Sequence, residues 1–215
     1  MKAIALVAGG NVSREFLTVI QRADYIIGVD RGALWLITHA IIPDVAIGDF
    51  DSVTKKEKTI ILKKAKRVQT YNAEKDATDL ELAIEEAIQL KPKIVHLFGV
   101  LGKRFDHEMG AIGMVRRLVS HNIYGQIVDK YNKINIVRRG RQKFSRDDTL
   151  RYLSVVALEQ GSRVTLRGVR YPVTKFIFST SSSRGISNEI TANVATVTVH
   201  SGLVLCIQSS DTPVR

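Results

Sequence analysis

Apolar and polar positions change rhythm along this chain. In its first part, short apolar runs alternate with segments of helical spacing. Residues 2–8 and 25–30 read as buried strands, the second closing on Asp30, and Ser13 is placed to cap a helix that runs to Arg22. Residues 33–41 predict a helix, 45–47 a short strand running into Gly48, 54–64 a helix and 67–70 a strand. Thr78, with Glu81 three residues on, predicts a capping box. The i, i+3, i+4 spacing of Leu80, Ala83, Ile84, Ala87 and Ile88 follows it. A strand over 94–98, a helix over 107–121 and a strand over 123–128 complete the series. Strand alternating with helix implies an α/β domain with a mostly parallel sheet covered on both faces.

Near residue 132 the helical rhythm stops. Residues 133–137, 152–158, 163–167, 175–178, 195–199 and 203–208 are β-like runs separated by Gly, Asp, Ser and Pro. They predict an all-β sandwich or barrel. Two domains are therefore expected, 1–131 and 132–215, with no internal repeat.

Composition narrows the class. Of 215 residues, 45% are hydrophobic and 25% charged, which excludes a disordered tail or a disulfide miniprotein. The single cysteine, Cys206, lies in an apolar run and reads as a buried thiol; a four-cysteine zinc site is excluded. The run 3–8 is too short for a signal-peptide core, and 33–42 is interrupted and too short to span a bilayer. A soluble, cytoplasmic protein with no membrane partner is the expectation. The net charge of +11 suits either a nucleic-acid binder or an enzyme for small polyanions. The basic residues are dispersed outside 55–67 and 138–151, and neither stretch interleaves aromatics as a base-stacking surface does. Nucleic acid is not the expected partner.

The chemistry lies in the aspartates. Asp49 and Asp51 follow one predicted strand and Asp30 closes another. Asp76 and Asp79 sit at a helix start, and Asp106 follows the turn 99–104. In a parallel α/β sheet, strand ends and the helix starts after them share one edge, where ligands bind. Carboxylates crowded there repel one another and invite a hard cation such as Mg²⁺, which takes carboxylates together with substrate phosphates. Gly9, Gly10, Gly99 and Gly102 also follow strands and could bring backbone N–H groups to phosphates, with Lys103 and Arg104 adding charge. No GxxxxGK[ST] loop, GxGxxG, HExxH or GxSxG motif is present. Metal-assisted phosphoryl transfer needs positioning and charge neutralisation rather than a nucleophilic side chain, and these residues can supply both.

These strings resemble thiamine pyrophosphokinases. Gly48-Asp49-Phe50-Asp51-Ser52 matches the family's GDFDS signature and Lys75-Asp76-Ala77-Thr78-Asp79-Leu80-Glu81 its KDxTDxE segment. The turn from Gly99 to His107 is similar to GxxGxRxDH, and Asp30-Arg31-Gly32-Ala33 to DxGA. Gly168-Val169-Arg170-Tyr171-Pro172 and Gly185-Ile186-Ser187-Asn188-Glu189 resemble GxxYP and GISNE. Arg31 and Lys103 stand where glycine is common in the family. The resemblance implies an α/β nucleotide-binding catalytic domain, then a β-sandwich that binds thiamine. It also implies transfer of pyrophosphate from ATP to thiamine in a homodimer whose sites are shared between subunits. It assigns Mg²⁺ to Asp49, Asp51, Asp76 and Asp79, with Asp30 orienting a water or the substrate hydroxyl. Lys103 and Arg104 act on the phosphates, Asp106 steadies Arg104 or shares in the metal shell, and Tyr171, Ser187 and Asn188 contact thiamine.

Overall fold

The computed structural model describes residues 2–71, 76–102 and 104–213. Lys103, expected to act on phosphate, and Lys75 of the KDxTDxE-like segment lie outside the described residues. The chain divides into two compact units, Met1–Asp129 and Lys130–Arg215.

The first unit is built on six strands: β1 (Ala3–Val7), β2 (Tyr25–Val29), β3 (Val45–Gly48), β4 (Val68–Thr70), β5 (Ile94–Phe98) and β6 (Tyr124–Val128). They lie in the order β6-β5-β1-β2-β3-β4, and every pairing in this series is parallel. The order runs outward in both directions from β1. The loops after β1 and β5 therefore diverge at a topological switch point, where a crevice opens at the strand ends.

Helices α1 (Leu17–Gln21), α2 (Arg31–Thr38), α3 (Lys55–Lys64), α4 (Asp79–Gln89) and α5 (Phe105–Ser120) connect the strands. Ser13 does cap its segment, but the first turn, Arg14–Phe16, is a 3-10 helix that passes into the short α1. Thr54 and Glu57 form a reciprocal capping box at α3. At α4 the box expected from Thr78 and Glu81 is one-sided. Thr78 Oγ1 accepts from the Glu81 N–H at 3.2 Å, while the Glu81 carboxylate turns to Arg117, 2.5 Å away. An ion pair with a neighbouring helix outcompetes the cap. Strand and helix faces close over Ala5, Val7, Ile20, Leu36 and Phe98 on one side of the chain's path, and over Ala33, Ile37, Ala46, Phe50 and Ile61 on another.

The second unit is antiparallel and β-rich: β7 (Asn132–Ser145), β8 (Tyr152–Ala157), β9 (Ser162–Arg167), β10 (Val173–Phe178), β11 (Asn188–Glu189) and β12 (Val194–Ser209). Two expectations change here. The apolar runs 195–199 and 203–208 belong to one strand, and the run from 133 continues through the charged residues to Ser145. Strand β12 pairs with β7 along both halves. On its other edge it pairs first with β9 and then with β8, changing partner at an irregularity between Val199 and Leu203. Gly202 sits there with φ +81°, and a Cβ on it would lie 2.4 Å from Ser162 Oγ. Such a bulge bends the strand, and both halves then contribute to one core containing Val155, Val164, Leu166, Val197, Val204 and Cys206. Burial pushes the Cys206 thiol well above its ordinary pKa, which keeps it protonated and inert. Among the described residues no helix is long and apolar enough to cross a membrane.

Candidate active site

Asp30 is the pivot of the strand-end edge. It follows β2 with φ 52°, and its N–H donates to the Ile47 carbonyl at 2.9 Å. Its Oδ1 accepts from the Phe50 N–H at 3.0 Å. The segment after β3 thus wraps around its side chain. Gly48 permits this approach: its φ is +151°, and a Cβ there would lie 2.8 Å from Asp30 Oδ1. Phe50 also has positive φ, 59°, an unfavourable state for an aromatic residue. Burial of its ring against Ala33, Ile37 and Ile61 holds it there. With Phe50 turned inward, its neighbours Asp49 and Asp51 turn out. Asp49 Oδ1 accepts from the Asp51 N–H at 3.0 Å, and Lys58 Nζ holds the Asp49 carbonyl at 2.7 Å.

Ligand oxygens of Asp30, Asp49 and Asp51 all lie within 4.8 Å of one another. Among the described residues none of the three makes an ion pair. Burial raises the Asp30 pKa to about 6, and the nearby charges of Asp79, Asp49 and Asp51 add to the shift. Asp79 reaches this field from the start of α4, so the two aspartate motifs share one site. The grouping differs from the expected set in one respect. Asp30 completes the close cluster, whereas Asp76 and Asp79 line the same cleft outside it. A trio of oxygen donors this close, all of them at least partly exposed, fits a hard divalent cation.

The glycine loops face the same cleft. The Ala8 N–H donates to the Phe98 carbonyl, and the Gly10 N–H to the Gly99 carbonyl, both at 2.8 Å. A Cβ on Gly10 would lie 2.5 Å from that carbonyl oxygen, so the crossing requires glycine. The Gly102 N–H donates to Glu108 at 2.9 Å. Gly10 and Gly102 therefore shape the loops, with their own N–H groups engaged inside the chain. Arg104 precedes α5 and forms a two-bond fork to Asp106, Nε–Oδ1 3.2 Å and Nη2–Oδ2 2.6 Å. The pairing raises the Arg104 pKa and lowers that of Asp106, both side chains remaining largely exposed. A carboxylate here occupies the bidentate face that a phosphate would use.

Together these elements line a cleft of about 1360 Å³. That is at or above the upper end of ordinary small-ligand pockets, roughly 300–1,000 Å³. Its walls also include Asn11 and Met114, to which no motif pointed, together with Ser52 and Glu81, the last residues of the GDFDS- and KDxTDxE-like segments, to which the sequence assigns no role in the site. Asn11 directly follows Gly9-Gly10, so adjacency was the available signal. Met114 lies two turns into α5 and carries no chemical signal of its own.

The remaining expected residues stand in the second unit. Tyr171 is 63% exposed, while Asn188 is buried with its amide bonded to the Tyr171 backbone. Ser187 is exposed, has φ 56°, and donates its N–H to Ser154 Oγ at 3.0 Å. The structure brings Tyr171 and Asn188 into contact, with Ser187 next along the chain.

The chain matches family models of the thiamin pyrophosphokinase catalytic domain over residues 16–127 and of the thiamin pyrophosphokinase vitamin B1 binding domain over 140–204. It is 36% identical over 214 residues to a thiamine pyrophosphokinase of Bacillus subtilis (strain 168), covering 98% of this chain and all of that one. A crystal structure of thiamine pyrophosphokinase from Bacillus subtilis superposes with a TM-score of 0.91 at 35% identity, covering 98% of this chain and 100% of that one. One from Geobacillus thermodenitrificans gives 0.86 at 27% identity and 98% coverage of both chains. A family fold, a switch-point cleft and two matched domains lead to one conclusion: this chain belongs to the thiamine pyrophosphokinase family.

Proposed function

We propose that this chain transfers a pyrophosphoryl group from ATP to the hydroxyl of thiamine, giving thiamine diphosphate and AMP. The thiamine oxygen forms a bond to the β-phosphorus, the bond from that phosphorus to the oxygen bridging to the α-phosphate breaks, AMP departs and the hydroxyl proton is released. The observation that carries the reading is the meeting, in one strand-end cleft, of two glycine loops, Arg104 and three carboxylates that make no ion pair among the described residues. Asp49 and Asp51, with Asp30, fit Mg²⁺; Asp76 and Asp79 extend the acidic wall toward its waters and the phosphates. When bound, the cation neutralises charge on the phosphate oxygens. Gly9 and Gly99 let the triphosphate approach the backbone closely. Arg104, exchanging Asp106 for phosphate, stabilises charge on the transferring and leaving groups. Lys103 has the composition for the same task. Tyr171 and Ser187 present the thiamine face of the second unit.

ATP and thiamine are thus the partners, rather than a membrane or nucleic acid, and the cytoplasm, where ATP is made and used, is the fitting compartment. The test is incubation with ATP, Mg²⁺ and thiamine. AMP that forms only when thiamine is present supports transfer; AMP formed without it would make the protein a nucleotide hydrolase. The family resemblance further supports a homodimer with shared sites. At thiamine concentrations well below KM, where Tyr171→Ala alone keeps about a tenth of wild-type turnover, co-refolding it with Asp76→Ala is expected to bring activity to roughly a quarter of wild type, because half the dimers are mixed and each mixed dimer holds one intact site. No recovery, with subunit exchange confirmed by mass, would place each site within one chain.

A further inference from the structure

The segment 168–171 runs beside 188–191, which includes β11, as a short antiparallel ladder. The Thr191 N–H donates to the Gly168 carbonyl at 3.0 Å, Val169 bridges Ile190, and the Arg170 N–H donates to the Glu189 carbonyl at 2.9 Å. At the next position, among the described residues, no main-chain bond joins the two segments. The backbone of Asn188 pairs on its other edge with Leu153 of β8. Its side chain supplies the missing rung. Asn188 Oδ1 accepts from the Tyr171 N–H and Nδ2 donates to the Tyr171 carbonyl, both at 3.0 Å. Oδ1 also accepts from the Glu189 N–H at 2.9 Å. Three of the four bonds this amide can make are thereby used on main chain, and the residue is 6% exposed.

Tyr171 is the reverse case. Both its backbone groups are held by that amide, and Pro172 after it restricts it to extended conformations. Its ring nevertheless stands 63% exposed. One face is steadied by the Arg170 guanidinium, 5.6 Å from the ring centroid, and Arg170 is tied to Glu189, which also takes Arg151. An exposed aromatic ring on a backbone fixed at both polar groups is a preorganised surface for a flat ligand, and thiamine carries a cationic ring suited to it. We infer that Asn188 is a positioning residue, acting on thiamine through Tyr171 and making no direct contact with the substrate. This rests on the proposed reading of Tyr171 as a thiamine contact.

The test is a double-mutant cycle on the whole enzyme, read in steady-state kinetics with thiamine varied. Tyr171→Ala is expected to raise the thiamine KM roughly tenfold, as loss of a cation–ring contact would. Asn188→Ala is expected to raise it about five- to tenfold, with kcat and the ATP KM within about twofold of wild type. In the double variant the thiamine KM should stay within about twofold of that of Tyr171→Ala, since the rung has nothing left to position. Multiplied losses would mean that Asn188 touches thiamine itself. A fall in kcat at unchanged KM would mean a purely structural role, with fewer folded molecules. Either result overturns the inference while leaving Tyr171 in place. A Tyr171→Ala enzyme with wild-type thiamine KM would instead remove the reading on which it rests. Should Asn188→Ala fail to fold, Asn188→Asp keeps both accepted N–H bonds, loses only the donor to the Tyr171 carbonyl, and runs the same cycle.

Discussion

The two units treat charge in opposite ways. Residues 130–215 carry fourteen Lys and Arg against five Asp and Glu, whereas residues 1–129 carry eighteen against sixteen, so most of the net +11 belongs to the second unit. Yet among the described residues carboxylates are gathered without cations only in the first. In the second unit Asp147 has Lys133, Asp148 has Arg146, Glu189 has two arginines, and Asp211 accepts from Tyr152. In the first, Asp30, Asp49 and Asp51 share a site, and the donors that reach Asp30 and Asp49 are backbone N–H groups. The difference teaches where function opposes stability. A cluster that fits a cation is repulsive until the cation arrives, while a fully bonded pair such as Asn188 and the Tyr171 backbone, on the reading proposed above, serves folding and binding together.

The sharpest way to break this contrast is to remove charge from the cleft. Asp49→Asn and Asp76→Asn are each expected to lower turnover by about 10²–10³, the usual cost of one important electrostatic contact. The melting temperature should not fall, because among the described residues neither carboxylate pairs with a cation. Turnover within twofold of wild type at unchanged melting temperature would reduce both to turn and helix-start residues.

Asp30→Asn takes the comparison further, since it should separate activity from stability. Burial and its acidic neighbours raise the Asp30 pKa to about 6, above its ordinary 3.8. The folded state therefore favours the protonated carboxyl. At neutral pH the ionised form costs stability, and this cost disappears as pH falls from about 6 toward 4. A shift of this size corresponds to about 3 kcal/mol, and because Asp30 is only half-buried, screening leaves about 1–2 kcal/mol. Asparagine keeps the acceptor for the Phe50 N–H and tolerates the positive φ. The metal-free variant is thus expected to be more stable than wild type at pH 7.5, equally stable near pH 4, and much less active. Denaturant titrations at both pH values would decide; a variant less stable at pH 7.5 would refute the account of the crowded cluster.

Much of this was legible before any coordinates. Strand β5 matches its apolar run at 94–98, and the aspartates announced a strand-end site because α/β geometry puts strand ends and helix starts on one edge. What stayed hidden depends on partners distant in sequence. Periodicity could not join 195–199 to 203–208, since a bulge breaks the alternation while the ladder to β7 continues. Nor could it place Arg167 beside Lys143, which meet only across Thr196 in the register of β9, β12 and β7. Basic residues that look dispersed along the chain are thereby drawn onto one sheet. Asn188 reads as a polar residue in a ligand motif, and only its bonds to Tyr171 turn it into a rung. Asp30 entered the close cluster because Gly48 and Phe50 adopt conformations that composition cannot reveal.

The smallest expected effect is the mirror image of Asp30. Asp147 follows β7 in the second unit, where Oδ2 accepts from Lys133 Nζ at 2.9 Å and Oδ1 from the Thr149 N–H and hydroxyl at 3.0 and 2.5 Å. Burial alone would raise its pKa, but the bonds from Thr149 and Lys133 outweigh it and bring the value down to about 2. The folded state here favours the charged carboxylate. Its stabilisation is complete above the ordinary value of 3.8 and is lost as pH falls toward 2. Because solvent screens the site, about 1 kcal/mol is expected rather than the full equivalent of the shift. Asp147→Asn should therefore be less stable than wild type at pH 7 by that amount, with the gap closing between pH 4 and pH 2 and with thiamine turnover unchanged. The same replacement of Asp by Asn would then stabilise one unit and destabilise the other at neutral pH. Paired unfolding curves across that pH range measure the sign directly, and a stabilised Asp147→Asn would show that the pairing of charges in the second unit contributes nothing to its fold.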